Sequence, residues 1–360
     1  MNGRERVLAT LHKLPTDHLC WSPLIGPYFN RSLPELGYEE LCTPDAVRLV
    51  GGDIIERHVR TIERVFEGSI QEYTEGDDAC HQRIIETPVG KLVTERRASD
   101  SGHTHYVSKR PVTCADDLRV MQYLYEHTTF REDYGAYRER DAYIGEDGIA
   151  SSSGPLTPIQ HFLQFFAGVQ TTVFLLADNR RAVEDCFDAM HHSNLEAYRM
   201  LAEGPAESIW IYEDTSSTVI NPRLYKRYCA PLIDEYADIC HAQDKVFITH
   251  MCGKLSAFNE QLRAGKQDGV DSVCPPTTGD IWAHEAREAW GPEKVIVGGI
   301  EPPALAMMSE SETRDYVHRV IDQMPTFRGF ILSTGDAVSY ATPVENLRAV
   351  AEIAENTPYR

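Results

Sequence analysis

Eight short apolar segments, centred near residues 20, 53, 149, 210, 247, 272, 296 and 330, predict an α/β chain, and most are followed by a stretch with helical spacing. Strand–helix alternation repeated eight times over 360 residues points to a closed (β/α)8 barrel. Polar clusters mark the ends of the same segments: Ser-Ser-Ser-Gly at 151–154, Glu-Asp-Thr-Ser-Ser at 213–217, His-Met-Cys-Gly at 250–253, Cys-Pro-Pro at 274–276, Gly-Ile-Glu-Pro-Pro at 299–303 and Ser-Thr-Gly-Asp at 333–336. Barrels carry their functional groups at the C-terminal ends of the strands, so this placement agrees with the fold. No internal repeat and no linker rich in Pro, Gly or Ser divides the chain, and a single domain over 1–360 is expected.

The elements follow in order. Val7, Leu8 and Leu11 give residues 3–12 helical spacing. A short strand over 19–25 leads to the Gly26-Pro27 turn, and a second apolar element spans 52–58. Between about 66 and 110 the character changes. Segments with β signals at 83–87 and 92–95 are broken by Pro88-Val-Gly90 and by Ser101-Gly-His103, which predicts an antiparallel β-hairpin insertion. Beyond 110, a segment at 148–155 ends in a loop, and helical stretches occupy 157–176 and 180–203. The strand at 208–212 precedes a long helix over 222–243, with Asn221 placed to cap it and Pro222 in its first turn. Strands at 245–250, 270–274, 295–299 and 329–333 then alternate with helices starting near Leu255 and spanning 281–290, 311–324 and 343–355.

Composition narrows the class. An apolar content of 42% with 25% charged residues is ordinary for a soluble globular enzyme. A formal charge of −20 repels phosphate backbones and argues against nucleic-acid binding. The nine cysteines are scattered and odd in number, and no apolar segment opens the chain. A reducing, cytoplasmic setting is expected rather than a secreted disulfide scaffold. No apolar run reaches the roughly 18–20 residues of a membrane span.

The chemistry concentrates in Thr-His-Met-Cys-Gly at 249–253. His250 and Cys252 are two residues apart, so in extended chain both project to the same side. An imidazole and a thiol held together at a strand end make half of a tetrahedral zinc site. Cys274 ends the next apolar stretch, and Pro275 and Pro276 stiffen its exit. Glu213, Asp214 and Asp336 also stand at strand ends; the alternative role for the first two is to cap the helix that begins near Asn221-Pro222, for which Asn221 is better placed. His103, His105, His191 and His192 lack metal-ligand spacing and read as surface or helix-face residues.

These residues carry a resemblance to the uroporphyrinogen decarboxylase superfamily, whose members are (β/α)8 barrels. Its markers are Asn-Pro-Arg-Leu-Tyr at 221–225, His-Met-Cys-Gly at 250–253, and Phe-Ile-Leu-Ser-Thr-Gly at 330–335 followed by Thr-Pro-Val-Glu-Asn-Leu at 342–347. The decarboxylases of that superfamily carry an arginine-rich Met-Arg-Gln-Ala-Gly-Arg segment after the first strand. Residues 21–31 here read Trp-Ser-Pro-Leu-Ile-Gly-Pro-Tyr-Phe-Asn-Arg, without that cluster. The resemblance therefore implies the methyltransferase branch, which includes corrinoid-dependent zinc enzymes and is related to cobalamin-independent methionine synthase.

The resemblance implies His250 and Cys252 as zinc ligands and a further ligand from the next strand, where Cys274 stands. The last ligand in that branch is usually a cysteine after the Ser-Thr-Gly turn; this chain has Asp336 there, leaving Asp336 and Cys274 as alternatives. It also implies cobalamin carried by a partner corrinoid protein, since the chain has no Asp-x-His-x-x-Gly motif. The expected activity is methyl transfer between a small methylated substrate and that partner. Methylcobalamin:thiol transfer and a metal-free lyase are the alternatives. Trp21, Tyr28, Phe29 and Trp210 would suit a flat substrate such as a methoxylated arene, or else pack the barrel. Tyr212, Glu213 and Asp336 are the candidate catalytic groups, Tyr212 as a hydrogen-bond donor to a substrate oxygen and either acid as an alternative metal ligand.

Overall fold

The computed structural model describes residues 1–99 and 105–360. The chain divides into two compact units, one built from Met1–Thr61, Asp133–Gly154 and Leu201–Arg360, the other from Ile62–Glu132 and Pro155–Met200.

The first unit contains the eight expected strands. They are β1 (Cys20–Trp21), β2 (Ile54–Glu56), β3 (Gly148–Ala150 and Ser152–Gly154, flanking Ser151), β4 (Ser208–Tyr212), β5 (Val246–His250), β6 (Gly269–Val273), β7 (Val295–Ile300) and β8 (Phe330–Thr334). All pair in parallel, in the order β1-β8-β7-β6-β5-β4-β3, while the first half of β3 pairs with β2. The ring is completed where the Asp53 N–H donates to the Trp21 carbonyl at 2.7 Å, joining β2 to β1. This is the (β/α)8 barrel.

Alternation along each strand sends Cys20, Ile55, Ile149, Trp210, Val246, Ile248, Val295, Val297 and Ile331 into one buried cluster, to which the helix Gly3–Leu11 adds Val7 and Leu11. Asn2 and Glu5 start that helix with a capping box. Close strand packing requires Gly269, where a Cβ would come within 2.5 Å of Val295. The β6–β7 ladder slips between Asp271 and Val273, with Ser272 at φ 75°. This bulge redirects the strand just past Asp271.

The long helix expected over 222–243 is two helices, Pro222–Tyr228 and Ala230–His241. Pro231 has no N–H to continue the ladder, so the break falls at Cys229. Asn221 does cap the first of them, accepting from the Leu224 N–H at 3.0 Å.

The second unit is larger than a hairpin. Ile62–Phe66 pairs antiparallel with Thr128–Glu132, and Gln71–Gly76, Cys80–Thr87, Gly90–Ala98 and His105–Lys109 form a four-stranded antiparallel meander. The helix Ala115–Glu126 turns Leu118, Met121 and Leu124 inward. Residues 155–200, which read from sequence as barrel helices, belong to this unit too. Helical spacing reports which face of a helix is apolar, not which sheet will cover it. The expected break at Ser101-Gly-His103, and His103 with it, lie outside the described residues. Among the described residues no helix is long and apolar enough to cross a membrane.

Candidate metal centre

Three adjacent strands, β4, β5 and β6, build the site. His250 is the last residue of β5, with Tyr212 of β4 and Asp271 of β6 as its lateral neighbours in the ladder. All three lie at one level of the barrel. The imidazole Nδ1 meets the Asp271 carboxylate at 2.6 Å, and Nε2 faces Asp214 Oδ1 at 3.7 Å. The Cys252 thiol donates to the same Asp214 oxygen at 3.5 Å. Ligand atoms of Asp214, His250 and Cys252 all lie within 4.8 Å of one another. Local backbone makes this convergence. Asp214 adopts φ 44°, a conformation aspartate tolerates better than most residues, and its N–H donates to the His250 carbonyl at 3.2 Å. Beyond Cys252 the chain bends at Gly253, φ 140°, where a Cβ would meet Ser216 at 2.7 Å.

Behind the cluster lies a buried charge chain. Asp271 is fully buried and its second oxygen accepts from Arg57 at 3.1 Å. The Arg57 guanidinium stands 4.9 Å over the Trp210 ring. Burial pushes the Asp271 carboxyl up, but Arg57 and His250 outweigh it and hold the group below its ordinary range. An ionised Asp271 accepts the Nδ1 proton of His250, which fixes the tautomer and leaves Nε2 as the free ligand atom.

The acids near Nε2 behave differently. Burial, then the Asp214 and Asp336 carboxylates, push the Cys252 thiol far above its usual range. Burial also raises Asp214, with His250 and Cys252 pulling the other way. A thiol confined beside carboxylates without a cation holds its proton; a divalent ion would displace it. One nitrogen, one sulfur and one oxygen donor, with Asp214 and Cys252 partly open to solvent, make a set that fits a catalytic zinc with a free position.

The uroporphyrinogen decarboxylase (URO-D) family model matches residues 149–357, more than half of the chain, including Asp214, His250 and Cys252 of the candidate metal site. The chain belongs to the URO-D family. Its structure is similar to that of a methyltransferase from Methanosarcina mazei, at TM-score 0.64 and 14% identity over 99% of this chain and 98% of that one. That likeness establishes the shared fold. A B12-independent methionine synthase from Shewanella sp. W3-18-1, in complex with selenomethionine, matches at TM-score 0.47 and 12% identity over 95% and 98% of the two chains. No curated protein matches the sequence significantly.

In this URO-D chain His250 and Cys252 come together, and the third group beside them is Asp214 rather than Cys274. Cys274 is buried against Gly335, where a Cβ would meet its sulfur at 2.7 Å, and burial pushes its thiol up to about 12. Asp336 accepts from the Ala337 N–H at 2.6 Å and acts on Cys252 and Asp214 through its charge. Glu213 is fully buried, one position out of phase with Tyr212, and its charge acts on Tyr225. Tyr212 stacks between His250, at 4.6 Å, and His58, at 3.7 Å.

The aromatic candidates scatter. Trp210 is buried in the barrel interior next to Arg57. Trp21 alternates with the inward Cys20 and lines a cavity with Ala351 and Ala354 of the helix Val344–Glu355. Phe29 is fully buried, whereas Tyr28 is exposed and packs on Tyr340 at 4.9 Å. His105 is exposed, as expected, with Nε2 near the Asp78 carbonyl. Arg57, Asp214 and Asp271 were missed as site residues. Two left a signal: Asp214 keeps the inward phase of Trp210 and Tyr212, and Asp271 is an acid inside a strand that is otherwise apolar or small.

Proposed function

We propose that this protein is a zinc-dependent methyltransferase that moves a methyl group from a small methylated compound, such as a methoxylated arene, to the cobalamin of a separate corrinoid protein. The observation that carries the proposal is the Asp214–His250–Cys252 cluster with Asp271 and Arg57 behind it. The fold it shares with a methyltransferase from Methanosarcina mazei supports it.

His250, Cys252 and Asp214 would hold the ion. Bound there, zinc supplies Lewis-acid polarisation of the atom that leaves the methyl group. The chain's own groups do the remaining work. Asp271 holds the His250 ring through Nδ1 and so aims Nε2 at the cluster. The Tyr212 hydroxyl is buried and meets no hydrogen-bond partner among the described residues, and burial keeps it protonated by raising it far above its usual range. It is therefore a donor available to a substrate oxygen on which charge develops as the methyl departs. An oxygen donor in place of a second thiolate makes the set harder, which favours an ether or alcohol oxygen over a thiol as the bound atom. This favours demethylation over methylcobalamin:thiol transfer.

Metal analysis of protein purified without chelators is the first test, with one zinc per chain expected and loss of it in His250→Ala and Cys252→Ser. Methyl transfer from methoxylated arenes to a Co(I) corrinoid protein, followed by the cobalt absorbance change, is the second. A metal-free protein, or transfer that survives Cys252→Ser at full rate, overturns the proposal.

A further inference from the structure

The unit formed by Ile62–Glu132 and Pro155–Met200 contains none of the metal-cluster residues but has a cavity of its own. On one face of its meander, Ile85 and Arg83 of Cys80–Thr87 stand opposite Leu92 and Thr94 of Gly90–Ala98, and Arg96 stands opposite Val107. Period-two alternation keeps these residues on the same side. The face grades from apolar to cationic. Ile85 and Leu92 are buried at one end, beside Met121 and Phe166. At the other end Arg64, Arg83 and Arg96 line a cavity of about 270 Å³ with His161, Phe165 and Phe166.

Three guanidinium groups around one cavity repel each other unless an anion shares it. Arg83 has Glu72 at 2.5 Å. Arg64 and Arg96 have no ion-pair partner within 4.0 Å among the described residues, in a chain of net charge −20. The His161 ring stacks on Phe166 at 4.9 Å, and its buried Nδ1 meets no partner among the described residues. Both rings belong to the segment that passes into the π-helical turn Phe162–Phe166, a distortion that recurs at functional sites.

We propose that this cavity binds a small amphiphilic carboxylate, with its flat apolar body against Phe166 and its anionic group between Arg64 and Arg96. Guanidinium groups recognise carboxylates in plane and with two bonds, and the adjoining apolar wall selects against a bare anion.

Calorimetric titration of the full-length protein with benzoate, benzamide and inorganic phosphate tests this. Benzoate binds, and benzamide and phosphate each bind at least about tenfold more weakly. Arg64→Gln and Arg96→Gln, checked for folding by thermal unfolding, each weaken benzoate at least fivefold, while His250→Ala leaves it unchanged. In the unsubstituted protein the His161 ring resonances shift on benzoate addition, which reports on the cavity even if an arginine variant fails to fold. The proposal is overturned if benzoate does not bind, if benzamide or phosphate binds as tightly, if His250→Ala abolishes binding, or if the His161 resonances stay fixed. The metal-dependent proposal stands or falls separately, on zinc content.

Discussion

Replacing Asp271 with Asn keeps the shape of the side chain and removes one acceptor. The carboxylate serves two donors with two oxygens, His250 Nδ1 at 2.6 Å and Arg57 at 3.1 Å, and both Asp271 and Arg57 are almost wholly buried. An amide has one acceptor oxygen, so its NH2 must face one of the two. Turned toward Arg57, it leaves a buried guanidinium unpaired, a loss of about 3–5 kcal/mol of folding stability. Turned toward His250, it moves the imidazole proton to Nε2 and blocks the ligand atom, weakening zinc by about 10–100-fold, or about 1.4–2.7 kcal/mol. Urea unfolding of the metal-free protein reads the first outcome, and competition with a chromophoric zinc chelator reads the second. An Arg57→Met, Asp271→Leu double variant should recover much of the stability, since removing both charges is cheaper than stranding one, without recovering zinc. If Asp271→Asn changed neither the unfolding midpoint nor zinc affinity, the Arg57–Asp271–His250 chain would not be what orients the site.

Other outcomes follow from the same geometry. Tyr212→Phe should lower the rate of methyl transfer by about 10²-fold while zinc content stays at one per chain, because only a donor to developing charge is lost; an unchanged rate would remove Tyr212 from the mechanism. Zinc affinity should rise with pH. The Cys252 thiol is shifted upward and keeps its proton in the metal-free protein, so loading expels it, and each displaced proton contributes about tenfold in affinity per pH unit; chelator competition between pH 6 and 8 measures the slope, and a flat profile contradicts the thiolate ligand. Gly253→Ala should impair both stability and zinc binding, since a Cβ there meets Ser216 at 2.7 Å and the positive φ is strained for alanine; unaltered zinc affinity in a folded variant would count against this bend as the device that places Cys252. Ala in place of Asp336 should leave zinc bound, since Asp336 acts on the cluster by charge rather than as one of its three close donors; loss of the metal would restore it as a ligand.

The chain of amino acids alone determined the barrel. Eight apolar segments with polar clusters at their ends leave few ways to bury the apolar faces, and His250 and Cys252 share a side because extended chain alternates with period two. Tertiary structure decided what joined them. Cys274 and Asp214 both stood at strand ends, but the positive φ at Asp214 turns its carboxylate toward Nε2, while Cys274 is packed against Gly335. Asp271 and Arg57 lie far from each other in sequence and meet only because β2 and β6 face one another's buried interior, so no local pattern announces the pair. Residues 155–200 likewise show an apolar stripe but not its partner, and went to the second unit. Periodicity is a local property that fixes which side of an element is apolar; which side chains then converge depends on strand order, bulges and single φ angles, and these exist only once the chain is packed.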